Sequence, residues 1–173
     1  ILVLLDHYDT RATFFTLGWV AERLPTVVRR IHAAGHEIAS HGFWHQPITE
    51  QTPIGFREDV HLSTVALEEL TGEAVTGYRA PGYSIGPKTD WALDELEQLG
   101  FAYDSSIYPA RAPHGRYGVP ASPLRPHRVR PGLWEFPLPT WQVLGCRIPA
   151  ATGAYLRLCP FAVTKRAINQ NLR

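Results

Sequence analysis

The 173-residue chain is 45% hydrophobic, enough apolar material for the core of one ordinary domain or a large part of one. Its 17 basic and 16 acidic side chains nearly cancel, which excludes the strongly basic surface that nucleic acid or an anionic membrane attracts. No apolar run is long enough to cross a bilayer, and no basic-then-apolar signal opens the chain.

Both ends of the sequence predict an internal piece of a longer protein. Methionine is absent, and the chain opens on Ile-Leu-Val-Leu-Leu, which is typical of the middle of a buried element. The last residues follow a helical pattern that stops without a C-cap glycine. Cys146 and Cys159 form no CxxC pair, so free thiols, the simpler expectation, and one disulfide both stay open.

Strand and helix patterns alternate over the first hundred residues. Strands are predicted over 12–17, 36–40, 75–80 and 101–104, and helices over 20–34, 53–70 and 89–99. Within 20–34, Pro25 suits a first helical turn, so the helix proper is expected to start near Leu24. Thr52 is the expected N-cap of the second helix, and Gly72 its stop. This alternation predicts an α/β fold with βαβ units and a parallel sheet, either doubly wound or closed into a barrel.

Prolines dominate the stretch from Pro109 to Pro139, too densely for helices or central strands. Aromatic anchors, Tyr117 and Trp134 among them, favour an ordered excursion over the barrel mouth instead of a disordered linker. One strand is predicted within it, over 133–136. We therefore expect a single partial domain, with core βα units over 1–108 and the Pro-rich excursion and C-terminal region over 109–173.

His41 and His45 lie where the strand 36–40 runs out into a loop. Two imidazoles in that place can converge on one divalent metal and supply two of the three protein ligands of a catalytic zinc. The H-x-x-x-H spacing alone is a weak signal, because surface or core histidines match it by chance. His36 begins an H-E-x-x-x-H run that is one residue too long for the helical zinc-protease motif, so we interpret it as structural.

Other distinctive residues also follow predicted strand ends. Arg79 and Pro81 come after the third strand, and Asp104 closes the fourth. Active sites of βα barrels lie at the C-terminal ends of the strands, so we expect these groups to meet the histidine pair at one rim. A surface ion pair or a capping role is the alternative for Arg79 and for Asp104.

Four motifs in this order resemble the polysaccharide deacetylases of carbohydrate esterase family 4, the NodB-homology domain. They are Ala12-Thr-Phe-Phe15, Gly35 to His45, Tyr78-Arg-Ala-Pro81 and Phe101 to Ser106. Glu135-Phe-Pro137 and the stretch 153–160 resemble the C-terminal region of a bacterial subgroup found with exosortase-linked exopolysaccharide loci. The resemblance implies a distorted (β/α) barrel, incomplete here at both ends, and a hydrolase that removes N-acetyl groups from a hexosamine polymer.

The resemblance also assigns roles to single residues. His41 and His45 match the ligands of Zn²⁺ or another divalent transition metal. Arg79 matches the arginine that orients the general base, and Asp104 the acidic residue that holds a general-acid histidine. The family's Asp-Asp pair, which supplies the third ligand and the base, has no match here, nor has that histidine, so both are expected outside this piece.

The expected partner is an N-acetylated polysaccharide or oligosaccharide. Gly82 offers an oxyanion-binding N–H where many family members carry an aromatic residue, and the aromatic wall shifts to Tyr83. Trp44 either lines the sugar pocket or packs in the core. An allantoinase-like cyclic-amide hydrolase and a non-catalytic saccharide-binding module are the alternatives, and analogy with the subgroup favours a cytoplasmic location.

Overall fold

A six-stranded sheet forms the centre of the computed structural model, which describes residues 1–111, 118–143, 145–149, 153, 157 and 160–171. Its strands are β1 (Thr13–Thr16), β2 (Glu37–Ser40), β3 (Gly77–Tyr78), β4 (Tyr103–Asp104), β5 (His127–Arg130) and β6 (Leu133–Glu135). They lie in the order β1-β2-β3-β4-β6-β5, and every neighbouring pair is parallel except the β5–β6 hairpin. The predicted α/β fold with a parallel sheet is thus confirmed. Within the described residues, β1 and β5 lie at opposite edges of the sheet and do not pair with each other, so closure into a barrel stays a prediction.

Helices accompany the sheet, and a small second sheet follows it. The helices are α1 (Leu2–His7), α2 (Gly18–Arg23), α3 (Pro25–Ala33), α4 (Pro53–Thr71), α5 (Trp91–Gln98) and α6 (Phe161–Asn171). Strands β7 (Thr140–Val143) and β8 (Cys146–Pro149) form an antiparallel pair, and α6 lies against β7. Among the described residues, no helix is both long and apolar enough to span a membrane.

Local sequence signals account for the helix ends. The Thr52 hydroxyl accepts the Gly55 N–H at 3.2 Å, and Gly72 adopts a left-handed φ of 73°, so both predicted ends of α4 are confirmed. The expected start of the helix proper near Leu24 is confirmed by α3, and the residues before it form a separate helix, α2, that ends next to Leu24. That residue precedes Pro25, which disfavours helical geometry, and it adopts φ −133° and ψ 53°.

Two other expectations are wrong: that prolines exclude a central strand from the Pro-rich stretch, and that the chain opens within a buried element. The strand predicted over 133–136 is present as β6, and it lies inside the sheet between β4 and β5. Pro131 falls in the hairpin turn and Pro137 follows the strand, so proline removes no N–H that the sheet needs for its hydrogen bonds. Helix α1 contains no buried residue, and its Val3 is 84% exposed. Cys146 is a free, exposed thiol. Three parts of the sequence analysis fall outside the described residues: Cys159, Tyr117 and most of the 153–160 motif.

Helix α4 packs against α2, α3, α5 and β2, and its buried Phe56, Val60 and Leu67 belong to the main hydrophobic core. The contact between α2 and α4 is close at Gly18. A Cβ on Gly18 would lie 2.4 Å from Cδ2 of Phe43 and 2.8 Å from the Cα of Ser63. Because real Cβ atoms do not approach other atoms so closely, glycine is needed here for packing.

We therefore expect Gly18→Ala to lower the free energy of unfolding by about 1–3 kcal/mol, the usual effect of overpacking a core. Urea denaturation of the two proteins measures this difference. Gly55→Ala is the matched control, because a Cβ there meets only the Thr52 hydroxyl at 3.4 Å. Alanine is the better helix former, so the control is expected to be neutral or stabilising. Equal effects of the two substitutions would contradict the packing argument.

Candidate active site

A cleft of about 550 Å³ lies at the C-terminal ends of β1, β2 and β3. The hydrogen-bond ladder continues past these strands, since the His41 N–H donates to the Thr16 carbonyl and the Arg79 N–H to the Ser40 carbonyl, both at 3.0 Å. The lining comprises Thr13 to Thr16, His41, His45, Arg79, Ala80, Gly82 and Tyr83. Most of the residues that the sequence singled out therefore meet in one place.

His41 is oriented by its neighbour in the sheet. Its Nδ1 lies 2.6 Å from the carbonyl oxygen of Arg79, so Nδ1 carries the hydrogen and Nε2 remains for a ligand. Burial lowers the pKa of His41 to about 4, and the charge of His45 acts in the same direction. The imidazole is consequently neutral at pH 7, as metal coordination requires.

The two histidine rings lie close enough to share an ion. Their centres are 5.2 Å apart, and the ring planes meet at 67°. A zinc–nitrogen bond of about 2.0–2.1 Å puts the metal roughly 3 Å from each ring centre, which this separation allows. In the part of the chain that the structure describes, no set of three or more His, Cys, Asp or Glu side chains could hold a metal. The pair therefore fits a zinc site as two of its ligands and leaves the rest to other groups.

Arg79 extends from this cleft into a second one. Its Nε donates to the Ser105 carbonyl at 2.9 Å, and a terminal nitrogen donates to the Ser105 hydroxyl at 2.6 Å. The guanidinium carbon lies 4.0 Å from the centre of the Phe15 ring. The second cleft, about 390 Å³, is lined by these residues together with Tyr103 and Phe136. No described carboxylate forms an ion pair with Arg79, so the surface ion pair is not formed, and its role towards a base stays a prediction.

A tight turn carries Gly82 and Tyr83. Both residues have left-handed φ values, 63° and 54°, which glycine adopts freely and tyrosine rarely. The Tyr83 N–H donates to the Ala80 carbonyl at 3.1 Å, whereas no hydrogen bond among the described residues uses the Gly82 N–H. The Tyr83 ring stacks on Tyr108. An unused N–H at the cleft is consistent with the predicted oxyanion role, which stays a prediction.

Trp44 and Asp104 lie elsewhere. Trp44 is 62% exposed and meets the Phe43 ring edge-on, so the core-packing interpretation is wrong, and the indole is not part of the cleft lining. Asp104 is fully buried, which excludes a surface ion pair. Its carboxylate accepts hydrogen bonds from the N–H and the hydroxyl of Ser106, which is a capping role. No described histidine hydrogen-bonds to it, and its function towards one stays a prediction.

Sequence reasoning missed the partner of Asp104. Glu135 lies beside Asp104 in the β4–β6 register and is also fully buried. Its Oε1 accepts the Ile107 N–H at 2.9 Å, and its Oε2 receives no hydrogen bond from the described residues. Burial, and secondarily the charge of Asp104, raises the pKa of Glu135, while burial raises that of Asp104. The pKa of Glu135 is raised to about 11, so Glu135 carries a proton at pH 7.

This carboxyl pair supports the rim of the cleft through Ser106. The Ser106 hydroxyl donates to Asp104 and accepts the Ala80 N–H at 2.7 Å. Ala80 follows Arg79 directly, so the pair helps to fix the backbone that carries the arginine. An acidic residue within the short, otherwise apolar run Leu133-Trp-Glu-Phe136 was the sequence signal that could have revealed Glu135.

Comparison with known proteins gives consistent results. The sequence profile of the polysaccharide deacetylase family matches residues 1–103, and that of a domain of unknown function, DUF3473, matches residues 105–173. The chain is 36% identical over 108 residues to a peptidoglycan deacetylase of Helicobacter pylori, covering 62% of the chain and 36% of that protein. It is 34% identical over 109 residues to a peptidoglycan deacetylase-like protein of Gibberella zeae, covering 62% and 31%.

The chain spans about a third of the length of these curated relatives. Among solved structures, that of a proposed polysaccharide deacetylase from Mycobacterium smegmatis matches with a TM-score of 0.65 and 27% identity, covering 96% of this chain and 58% of that one. The similarity to this structure thus extends over β5 to β8 as well as over the first four strands.

Proposed function

The chain belongs to the polysaccharide deacetylase family, and on that premise we propose that it is a metal-dependent hydrolase that removes N-acetyl groups from hexosamine units of a polysaccharide. The observation that carries the proposal is the cleft in which His41, His45, Arg79 and Gly82 meet. Relatives named as peptidoglycan and chitooligosaccharide deacetylases support the class of substrate.

Within this proposal, His41 and His45 hold the metal. A divalent metal bound there polarises the amide carbonyl and increases the acidity of water. The Gly82 N–H donates to the oxygen that becomes negatively charged in the transition state. Arg79 orients the carboxylate that takes the proton from water. That carboxylate and the third metal ligand come from outside the residues described here.

Two finer points belong to the same proposal. The open edges of the sheet at β1 and β5 are compatible with a distorted barrel that further strands close. The Glu135-Phe-Pro137 motif and the C-terminal region support an exopolysaccharide as the polymer, as in the subgroup that the sequence resembles. These points concern the complete fold and the polymer, and the chemistry does not depend on them.

Acetate release tests the proposed function. The full-length protein, supplied with zinc, is incubated with N-acetylglucosamine oligomers, and we expect acetate to form at a rate that a chelator abolishes and added zinc restores. The same oligomers without acetyl groups are the control substrate. Oligomer binding without acetate release would indicate a saccharide-binding module. Ring opening of allantoin without deacetylation would indicate the cyclic-amide hydrolase.

A further inference from the structure

The loop between the two histidines rests on a buried carboxylate of helix α4. Asp59 is 7% exposed and uses both of its oxygens on this loop. Oδ2 accepts the Phe43 N–H at 2.9 Å, and Oδ1 accepts the Trp44 N–H at 3.1 Å. A charged acceptor makes these hydrogen bonds stronger than those of a neutral group.

Helix α2 holds the same loop by donating hydrogen bonds to carbonyl groups of the loop. The Gly18 N–H donates to the Gly42 carbonyl at 3.0 Å, and the Trp19 N–H donates to the Phe43 carbonyl at 3.3 Å. The side chain of Phe43 is buried against Gly18. The backbone between the histidines is therefore held from two sides: the Asp59 carboxylate accepts hydrogen bonds from N–H groups of the loop, and N–H groups of α2 donate to carbonyl groups of the loop.

These hydrogen bonds maintain a left-handed backbone conformation at His45, which a non-glycine residue rarely adopts. His45 has a φ of 59°, in the left-handed region where a non-glycine residue is strained and persists only if its surroundings hold it. Gly42 has a φ of 75°, and a Cβ there would lie 2.6 Å from Oδ2 of Asp59. The carboxylate thus lies directly against the loop and leaves room only for glycine.

We propose that Asp59 is a positioning residue for the metal site: it fixes the backbone between His41 and His45 so that both rings face one ion. This inference rests on the proposed function, because it takes the two histidines as ligands. Asp59 is not part of the cleft lining and acts through the loop. Its two acceptor oxygens match the two N–H groups one to one, and asparagine cannot reproduce this match, since its amide nitrogen is a donor.

Zinc titration of the full-length protein, by competition with a chromophoric chelator, tests the proposal. We expect Asp59→Asn to weaken zinc binding by about 10–100-fold, as loss of a ligand-orienting group does. Leu67→Val is the matched control, because Leu67 is fully buried on the same helix, about two turns beyond Asp59. It should lower the unfolding temperature while leaving zinc affinity within about twofold. An equal loss of affinity in the control would overturn the proposal.

A double-mutant cycle separates positioning from general destabilisation. Since Asp59 acts through the loop that carries His45, we expect Asp59→Asn to change zinc affinity little when His45 is already alanine. The same fold-loss in both backgrounds would overturn the proposal, as would unchanged affinity of the single Asp59→Asn variant. A wild-type protein that binds no zinc would instead overturn the proposed function itself.

Discussion

Replacing His41 by alanine is expected to weaken zinc binding by more than about 100-fold, because a direct ligand contributes more than the outer groups that orient it. His45→Ala should have an effect of similar size, since the two rings lie 5.2 Å apart on one cleft. Acetate release should fall with the bound metal. Zinc titration and acetate assays on the same full-length preparations measure both quantities.

His61→Ala is the control for this pair, because His61 is exposed on α4 away from the cleft. It should bind zinc as the wild type does. Equal zinc affinity of the His41→Ala variant and the wild type would remove the histidine pair from the metal site. Loss of activity with full zinc content would assign the two histidines to another step.

The positions of the first four strands along the chain could be predicted because the signals for them are local. Alternating strand and helix patterns, the Thr52 cap and the terminal glycines each act over a few residues. Parallel strands end at one edge, so the approach of His41 to Arg79 follows from topology without any knowledge of side-chain contacts. The cleft could therefore be anticipated from strand ends alone.

Long-range contacts explain what the sequence did not reveal. Asp59 follows the pattern of an ordinary polar residue on a helix, and only the packing of α4 brings it under the histidine loop. Strand β6 can enter the sheet because its flanking prolines lie outside the hydrogen-bonded residues. The number of prolines in the stretch does not reveal which residues form those hydrogen bonds. The pairing of Asp104 with Glu135 likewise depends on which strands become neighbours.

The proton on Glu135 should appear as a pH dependence of stability. Burial raises the pKa of Glu135 above its ordinary value of 4.5, so the folded state keeps a proton that the unfolded state releases. The contribution of this group to stability is complete below that ordinary value and is lost as pH rises. Above pH 7 His41 adds no pH dependence, because its folded pKa of about 4 and its ordinary value of 6.5 both lie below that pH. We therefore expect the Glu135 contribution to lower the free energy of unfolding of the wild type between pH 7 and pH 9, by at most about 1.4 kcal/mol per pH unit.

Two variants separate the titration of Glu135 from its contacts. Glutamine cannot ionise, and it can accept the Ile107 N–H while donating to Asp104, so Glu135→Gln should remove the pH dependence without loss of stability at pH 7. Glu135→Ala should remove it too, but should be about 2–4 kcal/mol less stable than Glu135→Gln, because the Ile107 N–H loses its acceptor and a cavity remains.

Urea denaturation between pH 7 and pH 9 measures all of these free energies. Glu22→Gln, at an exposed position of α2, is the control and should keep the slope of the wild type. A wild-type slope equal to that of Glu135→Gln, or a Glu135→Gln variant as unstable as Glu135→Ala, would mean that Glu135 is ionised in the folded protein. With Asp104 ionised as well, the two would be adjacent buried negative charges. Such a pair needs a cation to neutralise it, and the described residues offer none that forms an ion pair with either carboxylate.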